Sequence, residues 1–157
     1  YRVTDAVEVR FDKAGYFERS GVDPNAEYRP GVTYGQEYDR QVALQEKGIN
    51  DLTLGEQKHN SDDFVLNGRK GASEQREARV DYGGVPGDGS AVLHGPDQVA
   101  GGRPEVFDGL GDRGVNSSLG RQWQDRVDDL AQDLRGASSG IDPDLLRFVY
   151  PNVRLVP

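Results

Sequence analysis

The chain has 157 residues, a formal net charge of −8, 34% hydrophobic and 29% charged residues, and a mean hydropathy of −0.75. That length and composition bound it to one modest core, and 21 glycines with 8 prolines put much of the backbone in turns and loops. The absence of cysteine excludes disulfides, thiol nucleophiles and cysteine-bearing metal sites, and two histidines, His59 and His94, exclude a three-histidine zinc site and an HExxH metalloprotease.

Residues 1–11 place Val3, Val7, Val9 and Phe11 at mostly alternating positions, which predicts a half-buried strand. The stretch to Thr33, punctuated by Gly15, Gly21, Pro24, Pro30 and Gly31, reads as loop. Tyr34, Tyr38, Val42 and Gln45 share one helical face, predicting a helix from Tyr34 to Lys47 that Gly48 closes. Thr53 and Glu56 form a capping box for a second helix to about Leu66. A third, polar helix follows at about Ser73–Tyr82. Seven glycines and two prolines among the 20 residues 83–102 then mark a long loop of the kind that carries function. The fourth helix, with Asn116 as its cap, carries Leu119, Trp123, Val127, Leu130 and Leu134 as one apolar stripe and ends near Gly136. Asp142-Pro143 starts a short turn through Phe148, and Asn152–Val156 alternates like a strand. The two chain ends are therefore expected to pair in a small sheet.

No apolar run approaches the roughly 18 residues that cross a bilayer, so no membrane contact is expected from this domain. Methionine is absent and the chain opens on Tyr1, so it is expected to be the C-terminal piece of a longer polypeptide. No segment carries a basic arm. This argues against tight non-specific binding of nucleic acid, although a small site can handle a phosphate with one metal and one or two arginines.

Among the motifs, Gly109-x-Gly111-x-x-Gly114 has the dinucleotide-binding spelling but lacks a buried strand before it, and reads as a tight turn feeding the fourth helix. Asn116-Ser117-Ser118 spells a glycosylation acceptor that helix capping explains equally well. Both histidines have aspartate three residues on. His59…Asp62 lies in a polar helix and reads as a solvated pair. His94…Asp97 follows the apolar Ala91-Val92-Leu93 and encloses Gly95-Pro96; a cap at Gly95 with Pro96 first in a short helix would set imidazole and carboxylate side by side at its positive end. On these residues alone a loop histidine tied down by aspartate is the favoured reading.

Leu93-His94-Gly95-Pro96-Asp97-Gln98-Val99-Ala100-Gly101-Gly102, followed by residues 109–123, closely resembles the HxxD core of the polymorphic toxin type 15 family, C-terminal toxin domains of bacterial secreted effectors. Tyr38-Asp39-Arg40-Gln41, Gln45-Glu46 and Gly48-Ile49-Asn50-Asp51-Leu52-Thr53 resemble that family's helical lead-in. The resemblance implies a single α+β nuclease domain over residues 1–157, with several helices around a small sheet and a glycine-rich active-site loop. It also implies a need for His94 and Asp97, a divalent ion such as Mg²⁺, a DNA substrate, and a cognate immunity protein. Such a domain is secreted and delivered into the target-cell cytoplasm by an apparatus that engages the N-terminal remainder.

In the mechanism this supports, His94 is the base and Asp97 holds the metal, or Asp97 orients His94 and the ion sits on another carboxylate. Asp112 is the next metal candidate. Arg113, Asn116 and Gln98 are candidates for substrate binding, and Gln41, Gln45 and Asn50 are further candidates, although helix glutamines most often face solvent. The alternatives are a hydrolase toxin acting on RNA or a nucleotide such as NAD, and a non-catalytic interaction module.

Overall fold

A computed structural model describes residues 1–157. In chain order it contains β1 (Val7–Arg10), α1 (Lys13–Ser20), β2 (Glu27–Arg29), β3 (Val32–Thr33), α2 (Tyr34–Asn50), α3 (Leu54–Asn67) and α4 (Ala72–Asp81). There follow β4 (Ser90–Val92), β5 (Leu110–Asp112), α5 (Arg113–Ala137) and β6 (Val153–Val156), with 3₁₀ turns at Gln98–Ala100 and Pro143–Phe148. The class is α+β. In place of one small sheet there are three two-stranded pairs, β1–β6, β2–β3 and β4–β5.

The chain ends do pair, in parallel, with Val7 opposite Val153 and Val9 opposite Leu155. A parallel pair needs a crossover connection, and here nearly the whole chain supplies it. Val7, Val9, Val153 and Leu155 turn inward toward the apolar stripe of α5, where Trp123, Leu119 and Leu130 are fully buried. Phe11 meets Trp123 edge to face, with ring centroids 5.0 Å apart, a favoured aromatic geometry. Tyr38 of α2 closes the same core. No helix is long and apolar enough to cross a membrane.

The predicted capping box of α3 is present, and α2 has a second that was not predicted. Thr53 and Glu56 satisfy each other's backbone N–H groups at the start of α3, and Thr33 with Gln36 does the same for α2. Four expectations change. The loop before Thr33 holds α1 and the β2–β3 hairpin; α1 has Asp12 as N-cap and Gly21 in the left-handed conformation at its end, but only Tyr16 and Phe17 are buried, too short a stripe to show periodicity. Within the glycine-rich stretch, β4 pairs antiparallel with β5, Ser90 opposite Asp112. Helix α5 begins four residues early, because Asp112 and not Asn116 caps it, its carboxylate accepting the Val115 N–H at 3.0 Å. Finally, α2 runs through Gly48 to Asn50. Gly48 is there for close approach, since a Cβ on it would stand 1.9 Å from the Gly95 carbonyl oxygen.

Candidate active site

Helix α2 positions the HxxD segment through a buried polar stripe. Glu37, Gln41 and Gln45 lie four residues apart and all are buried. Glu37 Oε2 accepts hydrogen bonds from the Asp112 amide and from Gln41 Nε2, both at 2.8 Å, while Arg40 Nε donates to its Oε1 at 2.7 Å. Burial pushes the Glu37 carboxyl up, but Arg40, the Asp112 amide and Gln41 together hold it below the ordinary carboxylate range. Gln41 Nε2 also reaches the Asp112 carbonyl at 3.1 Å.

Gln45 does for the HxxD turn what Gln41 does for β5. Its Nε2 donates to the His94 carbonyl at 3.1 Å, and its Oε1 accepts the Asp97 amide at 2.8 Å and Trp123 Nε1–H at 3.1 Å. Asn50 exchanges two hydrogen bonds with the Val153 backbone, at 2.9 and 2.8 Å, and so serves the terminal sheet rather than the site. None of the three faces solvent as helix glutamines and asparagines commonly do.

The turn itself departs from the expected short helix. The Gly95–Pro96 peptide is cis, and Asp97 is itself the cap of the 3₁₀ turn Gln98–Ala100, its Oδ1 accepting the Val99 amide at 3.0 Å. Imidazole and carboxylate therefore do not share a helix N-terminus. Arg69 Nη2 donates to the same Oδ1 at 3.2 Å. Asp97 Oδ2 has no hydrogen bond and faces Gly120 of α5, where a Cβ would lie 3.1 Å away.

His94 and Asp97 are each 8% exposed. The imidazole packs against Phe107, ring centroids 5.1 Å apart, and its Nε2 lies 3.4 Å from Gln75 Oε1. Its Nδ1 is buried without a hydrogen-bond partner, so Asp97 does not orient the ring through a direct bond. Burial pushes the imidazole pKa down, with the negative charge of Asp97 opposing. His94 is neutral at pH 7 with an unsatisfied nitrogen, the form a general base requires. His59, by contrast, is exposed on α3.

Arg69 was not evident from sequence, because it sits in the four-residue link between α3 and α4. Gln98, a candidate for substrate contact, instead binds that link: it accepts the Lys70 amide and donates to the Lys70 carbonyl, both at 3.0 Å. Gln98 thereby holds Arg69 beside Asp97.

Above the pair opens a cleft of about 410 Å³, walled by Gln75, Arg76 and Arg79 of α4 and by Arg113, Asn116 and Ser117 of α5, with Ala91 and Val92 of β4 as its floor. Neither His94 nor Asp97 lines it, and two contacts connect them to its wall. Gln75, a lining residue, touches His94, and Gly120, one turn beyond Asn116, faces Asp97. A larger groove of about 1460 Å³ between β1 and α5 contains neither motif residue, and its walls include Glu8, Asp12, Asp125, Asp129 and Asp133. That lining sets five carboxylates against Arg10, Lys13 and Arg126 and disfavours phosphate; the smaller, arginine-bearing cleft is the candidate site.

Arg113 and Asn116 line the cleft, and His94 and Asp97 adjoin it through Gln75 and Gly120 without lining it. Asp112 stands opposite Ser90, four residues along the chain from His94, and its carboxylate is engaged as the α5 cap. No three metal-capable side chains are gathered anywhere. A magnesium ion is commonly held by one or two carboxylates, retained waters and substrate phosphates, and the unbonded Oδ2 of Asp97 fits that form of binding. With Asp112 as the cap, Asp112→Asn, which keeps the capping acceptor, will melt close to the parent, whereas Asp112→Ala will lower stability by about 1 kcal/mol. Thermal denaturation checks both, and an equal loss in the two variants would mean that the carboxylate charge, not the capping acceptor, is what the fold needs.

No curated protein matches the chain. The family described as Novel toxin 15 matches residues 33–84 and 87–144, a span that includes α2, α3, α4, the HxxD turn and α5. With more than half of its residues matched, and the whole cleft within the matched region, the chain belongs to the Novel toxin 15 family of polymorphic toxin domains.

Proposed function

We propose that this toxin domain is a metal-dependent endonuclease that hydrolyses phosphodiester bonds in target-cell DNA. The observation that carries this reading is the buried HxxD pair, with one imidazole nitrogen and one carboxylate oxygen unbonded, next to an arginine-lined cleft. Neutral His94 takes the proton from the attacking water. Asp97 Oδ2 would hold Mg²⁺, which when bound would supply charge neutralisation at the phosphate and at the leaving oxygen. Arg113 and Asn116 hold the substrate backbone through charge-assisted and amide hydrogen bonds, and Gln45 and Gln98 keep the HxxD turn and Arg69 in place.

As a polymorphic toxin domain, the chain is neutralised in the producing cell by an immunity protein and is carried into the target-cell cytoplasm by a delivery apparatus. The test is incubation with plasmid DNA, with RNA and with NAD, each in Mg²⁺ and in EDTA. Plasmid cleavage that stops in EDTA and returns with Mg²⁺ is the expected result. Consumption of NAD or RNA with intact plasmid would overturn the reading, as would cleavage that persists in EDTA.

A further inference from the structure

The cleft beside the HxxD pair carries more positive charge than one scissile phosphate requires. Arg76 and Arg79 stand on one face of α4 and Arg113 opposes them from the first residue of α5. Asp88 neutralises Arg79 through an ion pair at 2.8 Å. The guanidiniums of Arg76 and Arg113 bond a hydroxyl and a carbonyl instead, Ser73 Oγ at 3.2 Å and Ser90 O at 3.0 Å. On a chain of net charge −8, two uncompensated arginines therefore face one another across a cleft. Each retains free N–H donors in the planar fork that suits phosphate oxygens.

The small side chains of Ala72 and Ala91 leave the space between them open. The lining does not include Asp97 or Arg69, and Gln75 stands between the cleft and the His94 ring. A group bound in the cleft is thus beside the reacting centre rather than on it. We infer that Arg76 and Arg113 form a phosphate subsite, with Arg76 the jaw opposite Arg113, that grips a backbone phosphate flanking the one to be cleaved. This rests on the nuclease reading above, and adds to it a second point of attachment that fixes the register of the strand over His94.

The test uses the full chain carrying His94→Ala, so that a short DNA duplex is bound without being cut, and follows its affinity by fluorescence anisotropy across a salt series. Arg76→Gln and Arg113→Gln should each weaken binding about three- to tenfold and reduce the slope of log K against log[salt] by about 0.9, the contribution of one lost phosphate contact. Arg154→Gln, on the exposed side of β6, should change neither. Unchanged slopes in both cleft variants would overturn the subsite while leaving the nuclease reading intact. If the parent protein binds no DNA, the nuclease reading fails by itself, and titration with inorganic phosphate decides the subsite: shifted Nε–H resonances of Arg76 and Arg113 support it, and unmoved ones end it. Should Arg113→Gln lose its fold with the Ser90 contact, Arg76→Gln alone carries the measurement.

Discussion

His94→Ala is expected to lower plasmid cleavage by about 10²–10⁴-fold, the usual contribution of a positioned general base, with the fold retained. Loss of the ring removes no hydrogen bond at Nδ1; it removes a long contact from Nε2 to Gln75 and the packing against Phe107, leaving a modest cavity that the fold tolerates. A thermal melt close to that of the parent would separate this outcome from unfolding. The pH dependence gives the same assignment a second test. Burial holds the His94 pKa below its ordinary value, so the base stays neutral at pH values where an exposed imidazole would be charged. The acid limb of kcat/KM should therefore fall below about pH 6.5.

Stability carries the same signature with a definite sign. The unfolded chain takes up a proton as pH falls through about 6.5, whereas native His94 resists it, so this group's contribution is present above that pH and is lost as the solution is acidified. Full cleavage by His94→Ala, or an acid limb well above pH 6.5, would remove His94 from the role of base.

Gln45→Leu is expected to lower the free energy of unfolding by at least about 3 kcal/mol, at roughly 1–3 kcal/mol for each buried group left unpaired. The three groups are the His94 carbonyl, the Asp97 amide and Trp123 Nε1–H. Leucine fills a similar volume but satisfies none of them. Because two of the three belong to the HxxD turn, the fraction that remains folded should also cleave more slowly, through misplacement of His94 and Asp97 rather than loss of a reacting group. Urea denaturation reads the first effect and single-turnover cleavage the second. A loss of stability below about 1 kcal/mol would mean that other groups, or water, replace the glutamine without difficulty.

The acidic composition and the arginine cleft are consistent with one another once the charges are placed. Aspartates 125, 129 and 133 line the opposite groove along one face of α5, while Arg76 and Arg113, 37 positions apart in the numbering, converge on the cleft. Net charge governs solubility and long-range approach; a phosphate within the cleft is governed by the nearest guanidiniums, because screening confines each charge to about 10 Å at ordinary salt.

By itself, the sequence determined the features that repeat over several residues or are read within one turn: the apolar stripe of α5, the capping box of α3, the alternating strands at the two ends, and the wording of the HxxD segment. The roles of single residues were decided by tertiary structure. Gly48 reads as a helix end until Gly95 is seen to lie against it, and Asn116 reads as the cap of α5 until Asp112 is seen to accept the Val115 amide. Gln98 reads as a substrate contact until Lys70 is found across from it, and Arg69 carries no signal at all before Asp97 is placed beside it. Local propensity acts through neighbours in the chain and leaves a period that can be counted. A hydrogen bond between residues tens of positions apart leaves none, and exists only when the packed core has brought its two ends within reach.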